Sequence, residues 1–495
     1  MSIRRYLSAT PLLMCSVLMT GEGATQDLHP AMNHPDKFAW GLFFALNHPA
    51  DLKADRGTPD GKKKLGDPGI TVWETWKLAR TEVFLPNACK PAGWKAPPAA
   101  PARVAALARG LESARASVDQ RKVFDPPKFS EDAARTIGAS VERNSFEPAN
   151  LALARAFSPT RLAATVDAGE LGNETRMNRE AFEFIVDRNL YSIDGQEKAL
   201  DDNTAIDFPV AAKEIKAAWR LFTDRELDPT LNFRDLNGNS AIEDDERGLR
   251  LLERTYHIGY GVVRNEKIGA DEVRPFGLVG LHIITKDIPN WFWATFEHVE
   301  NPQASVGSLD RHSPAGKGYP PEAEGTVWQY YRLRGTQTDF VTPTGRPTVL
   351  ANTQIEGSFQ ESSSCITCHA RASIGRRLDN IRVDGGRQLF APGTFVPPSA
   401  QVARPPAAER GYPFGATRLS VFEDLRAAFP FPALSPRDPL NDGRSILFLR
   451  GSVGVPDPAL FAAMGTPGSQ FAQLDFVWAL RRAFRADPSK CPPAQ

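Results

Sequence analysis

Apolar positions along this chain recur on two periods, and the change from one to the other outlines the fold. Four stretches repeat them every three or four residues, the spacing of one helix face. Residues 38–46 (FAWGLFFAL) are apolar nearly all round, which predicts a buried helix stopped by Pro49. Residues 72–85 (VWETWKLARTEVFL) carry aromatic and aliphatic side chains at the same spacing and predict a second helix. In 210–222 (VAAKEIKAAWRLF), Ile215, Trp219 and Phe222 fall on one helical face behind Pro209, predicting a third. Residues 243–257 open on acidic side chains, which suit the positive end of a helix dipole, and predict a fourth. The Pro- and Ala-rich stretch 89–110 predicts a loop running into a helix.

The middle of the chain reads as strand. Residues 276–285 (FGLVGLHIIT) form a run bounded by Pro275 and by Lys286-Asp287, and 291–298 (WFWATFEH) is placed to pair with it across a Pro289-Asn290 turn. Residues 328–333 (WQYYRL) predict a third strand, 446–449 another, and 471–484 an apolar segment near the end of a loop-rich tail. The class expected is α+β, a large irregular mixed domain (25–355) with a central antiparallel sheet. A loop-rich C-terminal region (356–495) packs on it.

Composition narrows the function classes. With 59 basic against 59 acidic residues and no basic stripe, nucleic acid and anionic membrane surfaces are not expected partners. The 41 prolines and 38 glycines predict many turns, and no internal repeat is visible. Arg4 and Arg5 precede an apolar stretch, 7–20, too short to span a bilayer, and small residues follow at 21–24. This pattern predicts a secretory signal peptide over 1–24 and an exported, periplasmic chain with no transmembrane segment. Of the five cysteines, Cys15 leaves with that leader. Cys89 and Cys491 then either join in a disulfide, as an oxidising compartment allows, or stay free or buried; sequence separation does not decide between these.

The chemistry concentrates in Cys365-Ile366-Thr367-Cys368-His369. Two thiols three positions apart face one side of a helical turn, where each can form a thioether to a porphyrin vinyl group. His369 faces the same way and is the expected proximal ligand of the iron, so one covalent haem c is the predicted cofactor. A structural zinc site would need a second Cys or His pair at short spacing, and none is present. Function then turns on the opposite axial position. Candidates are His282, a lone histidine within an apolar strand, and Met464, which lies 95 residues beyond His369. Each has a plainer alternative as a core or loop residue. An open position, with His298, Glu297, Tyr330 and Tyr331 around it, would suit peroxide chemistry instead. His257, following a helix, reads as a helix-terminal cation.

A second motif is the stretch from Asp235 to Glu246. Asp235, Asn237, Asn239 and Glu246 occupy ligand positions of a twelve-residue calcium loop, although Ser240 stands where such loops carry glycine. Calcium is a possible second cofactor; the alternative is an Asx-rich solvated turn leading into a helix.

Six segments together resemble exported bacterial cytochrome c family proteins. They are TVWETWK (71–77), DFPVAAKEIKAAWR (207–220), GLVGLHIITK (277–286), NWFWATFEHVENP (290–302), SSSCITCH (362–369) and DFVWAL (475–480). The resemblance covers most of the chain and implies a haem-binding, periplasmic protein without implying a substrate. The expected activity is single-electron transfer with a protein or small-molecule redox partner. A mono-haem oxidoreductase or a haem-based sensor is the alternative.

Overall fold

The structure is a computed structural model that describes residues 29–96, 171–202, 204–265, 270–303, 310–342, 347–356, 360, 363–370, 372–375 and 471–491. The leader predicted at 1–24, the strand predicted at 446–449 and Met464 lie outside these residues. The frame is an antiparallel sheet of seven strands, accompanied by short helices, so the class is α+β as expected.

The sheet is built around β5 (Ala270–Thr285), whose apolar C-terminal half ends before Lys286-Asp287 as the sequence predicts, although the strand runs back through Pro275, which pairs with Tyr260, to Ala270. One edge of that half pairs with β3 (Lys213–Leu221) and the other with β6 (Phe292–His298), while β4 (Ile258–Asn265) pairs with its N-terminal half. From β3 the sheet continues to β2 (Leu171–Met177) and β1 (Lys77–Leu78), and from β6 to β7 (Tyr331–Gln337).

Each face of the sheet has a different task. Helix α1 (Pro30–Asn33) leads into α2 (Pro35–Leu46), which begins on a proline and lies on the face that presents Ile215, Ile283, Phe292 and Phe296. Phe43 stacks on Phe296 at 4.3 Å between ring centroids, and Phe38 meets Phe292 edge-on at 4.9 Å. Such large side chains contribute about 1.5–3 kcal/mol each when fully buried, so this seam anchors the fold. Short helices α3 (Arg179–Asp187), α4 (Ile193–Asp201), α5 (Asp224–Leu227) and α6 (Gly248–Thr255) cover the rim.

Four predicted elements differ; in one, residues 243–257 divide into a 3₁₀ turn (Asp244–Glu246) and α6, which starts only at Gly248, so the acidic residues precede the helix rather than open it. Residues 210–222 form strand β3 rather than a helix, because it is paired along both edges, by β2 and β5, with Ile215 and Ala217 on one face and Glu214 and Lys216 on the other. Residues 72–85 are not one helix. A 3₁₀ turn (Trp73–Thr75), the two-residue β1 and a π turn (Ala79–Val83) follow one another, since Lys77 and Leu78 are drawn into pairing with β2. The third strand starts at Tyr331 and is preceded by a 3₁₀ turn (Val327–Tyr330) capped by the Thr326 hydroxyl.

The C-terminal segment is threaded into the same core. Leu474, Phe476, Val477, Leu480 and Ala483 belong to the hydrophobic cluster that contains α2 and the sheet. Cys89 and Cys491 form a disulfide across 402 positions, with their Cα atoms 5.4 Å apart. Among the described residues no helix is long and apolar enough to cross a membrane.

Candidate functional site

The Cys-Ile-Thr-Cys-His segment forms one helical turn, α7 (Cys365–His369), on the sheet face opposite α2. Ser364 caps it by accepting from Thr367 N, and Ile366 and Thr367 are fully buried. Gln337 at the end of β7 locks the turn to the sheet: its Nε2 donates to Ser364 Oγ at 3.0 Å, and its Oε1 accepts from Ile366 N at 3.2 Å. Cys365, Cys368 and His369, half-buried, share the remaining side, as the i, i+3, i+4 spacing requires. Burial, then the nearby Glu356 carboxylate and Cys368, push the Cys365 thiol well above its ordinary range, so it is held as a neutral thiol.

His369 is fixed from behind. Strand β8 (Ser373–Gly375) pairs with β9 (Phe471–Gln473), bringing the C-terminal segment back beside α7. The Phe476 carbonyl then lies 2.7 Å from His369 Nδ1. With Nδ1–H donating to that oxygen, the tautomer is set and Nε2 is the nitrogen presented as a ligand. Trp293 flanks the ring at 4.6 Å between centroids, and Trp478 Nε1 donates to Cys368 O at 3.0 Å. Burial lowers the His369 pKa to about 4, against the raising effect of the Phe476 bond, so the imidazole is neutral near pH 7.

His282 lies on the same face of β5, opposite Lys216 on β3 and Thr295 on β6. Its Nε2 is buried and has no hydrogen-bond partner; Glu356 Oε2, at 3.5 Å, is too far to make one. Burial, then Lys216, then His369 depress its pKa to about 3. Around His282 stand Glu356, whose carboxyl burial raises to about 7, and Asn352, which bonds Thr295 and the Phe296 carbonyl. Gly280 is opposite that asparagine, where a Cβ would come within 3.0 Å of it.

His298 and Tyr331 are engaged elsewhere, while Glu297, the register partner of Gly280, borders this centre. His298 is buried with both ring nitrogens used: Nδ1 accepts from Glu300 N, Nε2 bonds the Thr255 carbonyl, and Tyr256 stacks on its face. Tyr331 is buried between Leu278 O and His257 N, and Glu297 binds Arg334 and Thr353. These groups hold the sheet to its surroundings. His257 lies two residues past the end of α6 at Thr255 and just before β4, and its ring pairs with the buried Glu74 at 2.9 Å. Met177 is fully buried and Met32 is exposed on α1.

In the Asp235 loop, the Asp235 carboxylate accepts from the backbone of Asn237, Gly238 and Ser240. Asn237 and Asn239 donate to Glu243, and Glu246 is buried with bonds to Leu236 N and Glu243 N. Ser240 adopts φ 66°, the left-handed conformation that the calcium-loop pattern assigns to glycine. No predicted helix precedes the loop, and α5 ends at Leu227. Among the described residues no three His, Cys, Asp or Glu side chains are gathered in a group suited to a metal ion.

Sequence reasoning overlooked Lys216, Glu214 and Glu356, since a helical reading of 210–222 hides which side chains face His282. Glu214 also gives a stability prediction. Burial, only partly offset by Arg482 and Lys216, raises its pKa from the ordinary 4.5 to about 7, and its Oε2 has no partner. A raised carboxyl pKa stabilises the fold below pH 4.5, and that contribution is lost as pH rises through 7. Glu214→Gln is therefore expected to flatten the decline in denaturant stability between pH 5 and pH 8, by at most on the order of 3 kcal/mol. Equal slopes in both proteins would refute it.

Comparison of the chain with family models, with curated proteins and with solved structures finds no match.

Proposed function

We propose that this chain is an exported, periplasmic c-type haem protein of the cytochrome c family that transfers single electrons through one covalent haem. The observation that carries the proposal is a pair of imidazoles on one sheet face. His369 has its Nδ1 engaged by a carbonyl, and His282 has a buried Nε2 with no partner. The donor set fits the group. Cys365 and Cys368 would hold it through thioethers, His369 Nε2 would bind the iron, and His282 Nε2 is the candidate for the opposite position. When bound, haem supplies a one-electron ferric–ferrous couple. The protein's part is to fix both imidazoles, keep them neutral and exclude water from the site with Trp293 and Trp478. An electron is taken from a reduced protein or small-molecule donor and passed to an oxidised one.

The test is a pyridine haemochrome assay on protein exported in a host that matures c-type cytochromes. One haem per chain, surviving acid–acetone extraction, is expected. Cys365→Ser with Cys368→Ser should lose it entirely, and a wild-type chain without bound haem would end the proposal.

A second reading, an oxidoreductase or sensor with an open sixth position, draws on Glu356. A carboxyl near 7 beside His282 is suited to exchanging a proton there. A high-spin ferric spectrum in the wild-type protein would favour it.

A further inference from the structure

Asp475 and Phe476 both have left-handed backbone, at φ 43° and φ 67°, and neither is glycine. Each such residue costs about 1–2 kcal/mol, so two in succession persist only where the surroundings hold them. The hold is visible. Lys286 Nζ, just past the end of β5, contacts Asp475 Oδ1 at 2.7 Å and Oδ2 at 2.9 Å, and Phe208 N donates to Oδ2 at 2.7 Å. Both Lys286 and Asp475 are buried. Beyond the turn, Val477 N returns to Leu474 O, and Leu474 N is bonded to Ala372 O. The outcome of this turn is the placement of one oxygen, Phe476 O, at 2.7 Å from His369 Nδ1.

We propose that Asp475 is a positioning residue: its ion pair with Lys286 holds the strained turn that aims the Phe476 carbonyl at His369 and so sets how strongly His369 donates to a bound iron. The inference rests on the haem reading above. A carbonyl drawing on Nδ1–H makes the imidazole more basic at Nε2, which stabilises the ferric state and lowers the potential. Relaxing the turn therefore raises the potential. β5 thereby serves both sides of the site, with His282 within it and Lys286 one residue past its end.

The experiment is an equilibrium redox titration of the purified holoprotein and its variants, with haem content measured first. Asp475→Asn is expected to favour reduction about tenfold relative to wild type, equivalent to about 59 mV for one electron. Lys286→Met should shift it in the same direction, providing the comparison if Asp475→Asn does not accumulate, and Lys286→Arg should restore most of the wild-type value. Asp207→Asn removes the other, exposed partner of Lys286 at 2.9 Å and should leave the potential unchanged. Potentials within twofold of wild type in both Asp475→Asn and Lys286→Met, at full haem content, would overturn the positioning role while leaving the haem reading intact. A wild-type chain with no covalent haem would overturn both.

Discussion

Replacing His282 with alanine is expected to convert a low-spin ferric spectrum into a high-spin one and to open the protein to carbon monoxide and cyanide. The reason lies in the unpaired Nε2. A buried polar nitrogen without a partner costs about 1–3 kcal/mol, and an iron ligand bond removes that cost while burial keeps the ring neutral and available. Added imidazole should then restore the low-spin spectrum of the variant, which loss of structure alone would not allow. If the spectrum of His282→Ala stays low-spin, the sixth ligand lies elsewhere, and Met464→Ala becomes the next variant to examine.

The second large effect concerns the disulfide. Cys89→Ser with Cys491→Ser is expected to reduce unfolding free energy by about 2–5 kcal/mol, measured by denaturant titration. The chain-entropy model assigns a still larger value, about 6 kcal/mol, to a loop closed across 402 positions. Native contacts that remain at the tail argue for the lower range. Arg485 pairs with Glu197 and Asp194, Ile193 N binds Phe484 O, and Asp487 N binds Asn87 O. An unchanged titration under reducing and oxidising conditions would show that these contacts alone retain the tail.

Much of the frame was legible in the sequence. The buried helix at 38–46 is legible because it is apolar nearly all round, and the paired ends of β5 and β6 because a Pro-Asn turn separates two apolar runs; the extension of β5 through Pro275 is not. Strand β3 was misread for a physical reason. Ile215 and Trp219 are four positions apart, which satisfies both periods, and the adjacent Ala217 and Ala218 blur the alternation that sets Glu214 and Lys216 against Ile215. That error concealed Lys216, whose pairing register places it beside His282. The clustering of Cys365, Cys368 and His369 was legible because i, i+3 and i+4 share one side of a helical turn. The Phe476 contribution was not, since a backbone carbonyl has no residue identity and its position depends on a turn closed from a different strand.

The hold on His369 also carries a consequence for the order of biogenesis. His369 emerges from the ribosome 107 residues before Phe476, and Cys491 follows later still, so the motif is translated before the segment that packs beside it. If haem is attached as proposed, the two thiols, half-buried in the folded chain, are most open to it before that segment packs beside them. On the haem proposal, closing the Cys89–Cys491 bond after attachment would leave the segment carrying Phe476 out of the way while the thiols react.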